Sequence, residues 1–191
     1  MVVLKHVIVY FVISLVAAVV PYSGCDGKEK DLSGLFREAR IIPLASPKEA
    51  KDFVLPDINE NEVRLKDFRG NVVVLNIWAM WCGPCREEMP SIERLYQEFK
   101  GRNLVVLTVS VDTADTRLVK DFVDKHGYTF PVLHDSRASI MKRFGVRFLP
   151  VTFLIDGGGK VIGKAVGPRD WGQARVMRLL EEILIRSGEN P

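Results

Sequence analysis

Cys82 and Cys85 stand two residues apart in Trp81-Cys82-Gly83-Pro84-Cys85. Two thiols at this spacing can reach each other across one turn of backbone, so the pair can cycle between dithiol and disulfide. Cysteine reacts as the thiolate, and a helix N-terminus stabilises that charge through its free backbone N–H groups and its dipole. The charged stretch after the pair reads as a helix that starts there. Cys82, at or before the first turn, is then the exposed, acidic nucleophile, and Cys85, one turn further in, the resolving thiol. Pro84 suits a first helical turn because its missing N–H would be unpaired anyway, and its ring stiffens the loop. Gly83 permits close approach by a partner backbone. A zinc site needs four ligands, and neither a second Cys pair nor a nearby His completes the set, so no metal and no other cofactor is expected.

The residues around the pair extend this chemistry. Glu88 lies three residues beyond Cys85 and thus on the same helix face. A partly buried carboxylate there has a raised pKa and can exchange a proton with Cys85. Trp78 and Trp81 flank the site as packing residues, and Trp81 can supply an apolar rim for partner chains. Trp171 and the three histidines carry no readable role. His134, near an apolar strand end, reads as structural or solvated.

The elements that must position these groups follow from periodicity. Residues 72–78 form a continuous apolar and β-branched run, the pattern of a strand buried on both faces, and the thiol pair follows at once. Met89, Ile92, Leu95, Tyr96 and Phe99 recur at helical spacing up to Gly101, with Pro90 expected to kink the helix. Further strands are expected at 104–111, 130–133, 151–155 and 160–166, the last two joined by a tight turn at Asp156-Gly157-Gly158-Gly159-Lys160. Helices are expected between them, one with Leu118, Phe122 and Val123 on its inner face, one over 138–144, and an amphipathic one over 169–186. Two short strands, Phe53-Val54-Leu55-Pro56-Asp57 and Glu62-Val63-Arg64-Leu65, suggest an N-terminal β-hairpin. The whole describes an α/β domain with a mixed central β-sheet flanked by helices.

The 191 residues suit one domain with accessory segments, and a net charge of +3 from scattered basic residues points away from nucleic acid. Residues 7–20 are apolar apart from one Ser and follow Lys5 and His6, the pattern of a secretory signal or a membrane anchor. Ser23-Gly24-Cys25 resembles the end of a bacterial lipobox, with Tyr22 departing from the aliphatic residue usual there, which makes Cys25 a lipidation candidate. Lipidation, a retained anchor and a cleaved signal all place the domain outside the cytoplasm. The expected organisation is a signal or anchor over 1–24, a linker with a short helical piece over 25–51, and the domain over 52–187.

The block Val74-Leu75-Asn76-Ile77-Trp78-Ala79-Met80-Trp81-Cys82-Gly83-Pro84-Cys85-Arg86-Glu87-Glu88-Met89-Pro90 resembles the active-site block of TlpA/ResA-like thioredoxin-fold proteins. The resemblance continues upstream through Leu65-Lys66-Asp67-Phe68-Arg69-Gly70 and downstream through Phe144-Gly145-Val146-Arg147-Phe148-Leu149-Pro150-Val151, covering roughly residues 52–186. It implies a thioredoxin-like fold and a cis bond before Pro150, with Leu149 and Pro150, like Trp81, Gly83 and Pro84, meeting the substrate chain. Many cytoplasmic thioredoxins carry a buried Asp six residues ahead of the first Cys. Asn76 stands there and cannot titrate, and the resemblance also points to Glu88 as the acid that tunes the thiols.

The implied function is a membrane-tethered thiol-disulfide oxidoreductase that reduces disulfides in client proteins such as apocytochrome c. Its electrons would come from a membrane thiol transporter of the DsbD/CcdA type. Two alternatives stand beside it. One is a thiol peroxidase, disfavoured by Ala79 where such a site has Thr. The other is a copper-delivery module, in which Cys82 and Cys85 hold the ion with a third ligand such as His134 or a Met.

Overall fold

A computed structural model describes residues 31–188. In chain order its elements are α1 (Leu32–Glu38), β1 (Ile42–Glu49), β2 (Val54–Pro56), β3 (Glu62–Arg64), a 3-10 turn (Leu65–Phe68), β4 (Val72–Trp78), α2 (Gly83–Phe99), β5 (Leu104–Ser110), α3 (Thr116–His126), β6 (Val132–His134), α4 (Ser139–Phe144), β7 (Val151–Ile155), β8 (Lys160–Val166) and α5 (Ala174–Gly188). The central sheet has six strands in the order β1-β8-β7-β4-β5-β6. Strands β4, β5 and β6 run parallel, while β7 is antiparallel to β4 and starts the antiparallel half with β8 and β1. This is the mixed sheet that the alternating pattern anticipates.

Every residue of β4 is buried, because the strand is covered on both faces and flanked by β5 and β7. Its last residues feed directly into the loop that carries the cysteines. Met89, Ile92, Leu95 and Phe99 turn the inner face of α2 into the core, and the helix runs unbroken through Pro90. In α3 the stripe keeps Val123 of the expected face but takes Val119 in place of Leu118. Val119 and Val123, four apart and so on one face, are buried, whereas Leu118 is 54% exposed. Phe122 is half-buried against Trp78, with ring centroids 5.7 Å apart.

The linker expected over 25–51 is not a linker where the chain is described. α1 buries Phe36, and β1 pairs with β8 as an edge strand of the central sheet. β1 was illegible because seven of its eight residues are exposed, so no alternation marks it. Backbone pairing holds it instead, from Ile42 with Lys164 to Glu49 with Lys160, with a register shift between Pro43 and Lys48. Prolines are tolerated on such an edge, where a missing N–H need not break a ladder. Gly163 makes room for α1, since a Cβ on it would sit 2.6 Å from the Phe36 ring.

The hairpin β2–β3 forms a separate two-stranded sheet, tied to β6 by a bridge between Asp57 and Leu133. Its turn is organised by the Asp57 carboxylate, which accepts from the Asn59 N–H at 2.7 Å and the Asn61 N–H at 2.9 Å. The expected signal or anchor over 1–24 and the lipidation candidate Cys25 lie outside the described residues. Among the described residues no helix is long and apolar enough to cross a membrane.

Candidate active site

Cys82 is the N-cap of α2, and its sulfur accepts a hydrogen bond from the Cys85 N–H at 3.2 Å. The two cysteines form a disulfide, with an S–S distance of 2.05 Å and Cα atoms 5.3 Å apart. Cys85 is wholly buried, and Cys82, the more open of the two, is 6% exposed. Cys82 is therefore less open than its place at the helix start suggests, because its bond to Cys85 and its capping role both turn the sulfur inward. Pro84 occupies the first helical turn, as its chemistry favours, and Gly83 has open space where a Cβ would stand.

The loop ahead of the pair is held by a residue that sequence reasoning missed. The Asp112 carboxylate, 3% exposed, accepts the Met80 N–H at 2.9 and 3.2 Å and the Ser110 hydroxyl at 2.7 Å. The Val111 N–H donates to the Trp78 carbonyl at 2.9 Å, so β5 continues to pair with the chain as it leaves β4. The one available signal was a polar pair, Ser110 and Asp112, at the C-terminal end of an otherwise apolar strand, where α/β proteins place their sites. His134 supports the same corner. Its Nε2–H donates to the Asp112 carbonyl at 2.8 Å, which leaves Nδ1 to accept the Thr116 hydroxyl at 2.8 Å. His134, one of the third ligands considered for a copper site, thus has both ring nitrogens engaged.

On the other side of β4, the Leu149–Pro150 bond is cis, as the resemblance implies. Ile77 pairs with Val151, so one step further the register brings Pro150 level with Trp78, at the end of the sheet from which the cysteine loop departs. Pro150 is buried and Leu149 half-buried. Two aromatic side chains stand out into solvent on the loops that flank this end, Trp81 at 71% and Phe148 at 74% exposure. Phe148 was not singled out from the sequence, although a large aromatic between Arg147 and Leu149 in a connecting loop is the kind of residue that marks contact surfaces.

Glu88 lies inside the protein, 2% exposed. Asn76 Nδ2 of β4 donates to its Oε1 at 2.8 Å, and the Trp171 indole N–H and the Arg169 backbone N–H each donate to its Oε2 at 3.2 Å. Burial pushes its pKa from 4.5 up to about 7, against the opposing pull of these donors and of the Arg169 charge. The Arg169 guanidinium is itself anchored, donating to the carbonyls of Ala39 and Arg40 at 3.4 and 2.7 Å, so the turn between α1 and β1 helps to fix the charge facing Glu88. Glu88 lines a groove of about 360 Å³ with Ser91, Pro168 and Arg169. Trp171, to which the sequence assigned no role, is fully buried and bonded to this carboxylate, and Arg169 was likewise unforeseen. Neither was legible, since both lie more than 80 residues along the chain from Glu88.

A disulfide at a helix start, a cis-proline at the same end of the sheet and a buried acid on the same helix invite comparison with known proteins. The profile of the AhpC/TSA family matches residues 47–164. The chain belongs to the AhpC/TSA family. It is 40% identical over 134 residues to the thiol-disulfide oxidoreductase ResA of Bacillus thuringiensis, covering 70% of this chain and 76% of that protein. ResA of Geobacillus thermodenitrificans is 39% identical over 129 residues, covering 68% and 72% of the two chains. Among solved structures, one from Chlorobium tepidum assigned as the thiol:disulfide interchange protein DsbE superposes with a TM-score of 0.67 at 32% identity, covering 74% of this chain and 99% of that one. This member of the AhpC/TSA family is a thiol-disulfide oxidoreductase with a thioredoxin-like fold.

Proposed function

We propose that the protein works as a reductant of disulfides in client proteins outside the cytoplasm, with Cys82 as nucleophile, Cys85 as resolving thiol and Glu88 as proton acceptor. The observation that supports this best is the asymmetry of the site. One cysteine caps a helix and is 6% exposed, the other is wholly buried, and a buried carboxyl whose pKa burial raises to about 7 lies one turn beyond the second. In the dithiol state the Cys82 thiolate attacks one client sulfur, forming a mixed disulfide and expelling the second client sulfur as a thiolate, which takes a proton from water. Cys85 then gives its thiol proton to Glu88, and its thiolate attacks the Cys82 sulfur. The mixed disulfide breaks, the first client sulfur leaves as a thiolate and is protonated, and the disulfide seen in the structure is restored. Two electrons pass to the client.

Trp81, Gly83, Pro84, Leu149 and Pro150 form the surface against which the client chain lies, with Phe148 as an added wall. The client class that the ResA-like resemblance implies is a protein with a closely spaced Cys pair, such as apocytochrome c. Electrons are returned to the site by a membrane thiol transporter of the DsbD/CcdA type, and the segment over 1–24 or a lipid on Cys25 holds the domain at the extracytoplasmic membrane face. The experiment is to express Cys85→Ser in cells and identify trapped partners by mass spectrometry. Secreted dithiol proteins linked through Cys82 are the expected result. Trapping of no partner, together with failure of the wild-type dithiol to reduce a cytochrome-derived Cys-x-x-Cys-His peptide, overturns the proposal.

A further inference from the structure

The connections at the cysteine end of the central sheet follow β4, β5, β6 and β8 and precede β7. Their carboxylates are all engaged. Asp112 and Asp135 are each 3% exposed, the first accepting the Met80 N–H at 2.9 Å, the second the Ile140 N–H at 2.7 Å and the Ser139 hydroxyl at 3.1 Å. Asp115 pairs with Arg117 at 3.2 Å, and Asp170 with Arg94 at 2.7 Å. The cations of these connections are placed differently. Arg169 is held by the Ala39 and Arg40 carbonyls. Arg137 of the β6–α4 loop and Arg147 of the α4–β7 loop are exposed, and among the described residues neither meets a carboxylate.

The same imbalance is written in the chain. Between Asp135 and Asp156 it carries Arg137, Lys142, Arg143 and Arg147 and no carboxylate. Arg147 directly precedes Phe148 on the cis-proline loop. At the disulfide itself, Arg86 lies four residues beyond Cys82 and so on the same face of α2, its N–H donating to the Cys82 carbonyl at 3.2 Å. The Arg86 side chain is also exposed and meets no carboxylate among the described residues. Its neighbour Glu87 lines the groove that holds Arg94 and Arg169. Each exposed aromatic of the site thus has an uncompensated arginine close to it in the chain, Arg86 for Trp81 and Arg147 for Phe148.

We propose that Arg86 and Arg147 are specificity-determining residues that select client chains carrying carboxylates beside the reactive cysteine, while Trp81 and Phe148 meet the apolar side chains of the same segment. The inference rests on the proposed reaction of Cys82 with a client and narrows the class of client. Opposite charges across an interface steer encounter and fix orientation, and they act most on the rate of association. The chemistry gains as well. When the Cys82 thiolate bonds to one client sulfur, the client S–S bond breaks and its electron pair leaves on the second sulfur as a thiolate. Arginines on both sides of the site favour that departing charge, and a client already rich in Lys or Arg meets like charge there.

The test uses the full-length Cys85→Ser protein. Its Cys82 thiolate attacks a peptide cysteine activated with thionitrobenzoate, forming the mixed disulfide and expelling the coloured thionitrobenzoate thiolate. Two peptides are compared, identical except for Glu or Lys on both sides of the cysteine. At about 0.02 M salt the Glu peptide should react about tenfold faster. The ratio should fall to about twofold at about 0.5 M, where the screening length is about 4 Å. Arg86→Gln and Arg147→Gln should each lower the low-salt ratio about threefold, and together bring it close to one. Lys100→Gln, at the far end of α2, removes the same net charge and should leave the ratio unchanged. A parent ratio near one overturns the proposal. So does a ratio that survives the double replacement, or one that Lys100→Gln lowers as far as Arg147→Gln does. Any change in Cys82 acidity cancels, because both peptides meet the same sulfur. Mixed-disulfide formation is independent of the direction of electron flow. A wild-type protein that fails to reduce disulfides therefore overturns the reductant role and leaves this ratio to be read as before.

Discussion

Replacing Glu88 by Gln should remove a pH dependence of stability whose size and sign the buried site sets. In the unfolded chain the carboxyl ionises near 4.5, whereas burial holds the folded pKa at about 7. Between these values the folded protein keeps a proton that the unfolded chain has shed. The contribution of Glu88 is therefore fully present below pH 4.5, falls as pH rises through 7, and levels off above it. At about 1.4 kcal/mol for each pH unit, the rise from 4.5 to about 7 amounts to about 3 kcal/mol lost across the window. Gln carries no titrating proton and matches the neutral acid in shape, with an oxygen for the Trp171 and Arg169 donors. Urea denaturation of both oxidised proteins from pH 4 to 8.5 is the assay, because groups other than position 88 cancel in the difference. Equal stability near pH 4 and a variant more stable by up to about 3 kcal/mol at pH 8 are expected. A flat difference curve, or one in which Glu88 gains stability as pH rises above 5, refutes the account of the buried acid.

Asp112→Ala should cost about 2–3 kcal/mol in chemical denaturation, because it leaves the Met80 N–H and the Ser110 hydroxyl without their charged partner, and should slow peptide disulfide reduction by loosening the loop before Cys82. Phe148→Ala, at a side chain 74% exposed, should leave the unfolding midpoint unchanged and raise KM for a protein client about tenfold with kcat little altered, an effect a kinetic assay reads directly. Gly163→Ala should destabilise by about 1–3 kcal/mol, since its Cβ would meet the Phe36 ring at 2.6 Å, and limited proteolysis should then release the segment holding α1 first.

The parts of the fold that were legible share a physical cause. Strand β4 was readable because burial on both faces demands an unbroken apolar run, and α2 because its inner face must repeat every three to four residues. Strand β1 was not readable, since an exposed edge strand held by backbone pairing places almost no constraint on its side chains. The same distinction runs through the site. Cys82, Cys85 and Glu88 lie within seven residues on one helix, so spacing alone groups them. Asp112, Arg169 and Trp171 reach the same place from distant segments, and no local pattern announces that convergence.

The chain by itself thus determined the redox pair, its place at a helix start, the absence of a titrating group at Asn76 and the presence of Glu88 on the face of Cys85. These follow from residue type and helical periodicity, which act over a few residues. Tertiary structure alone decided that Glu88 is sealed beneath α2 among Asn76, Trp171 and Arg169, and that the cysteine loop is held by Asp112. Desolvation and hydrogen bonding depend on what surrounds a group in space. A carboxyl that titrates near 7 is therefore a property of the folded packing rather than of the Cys-x-x-Cys-x-x-Glu spacing that led to it.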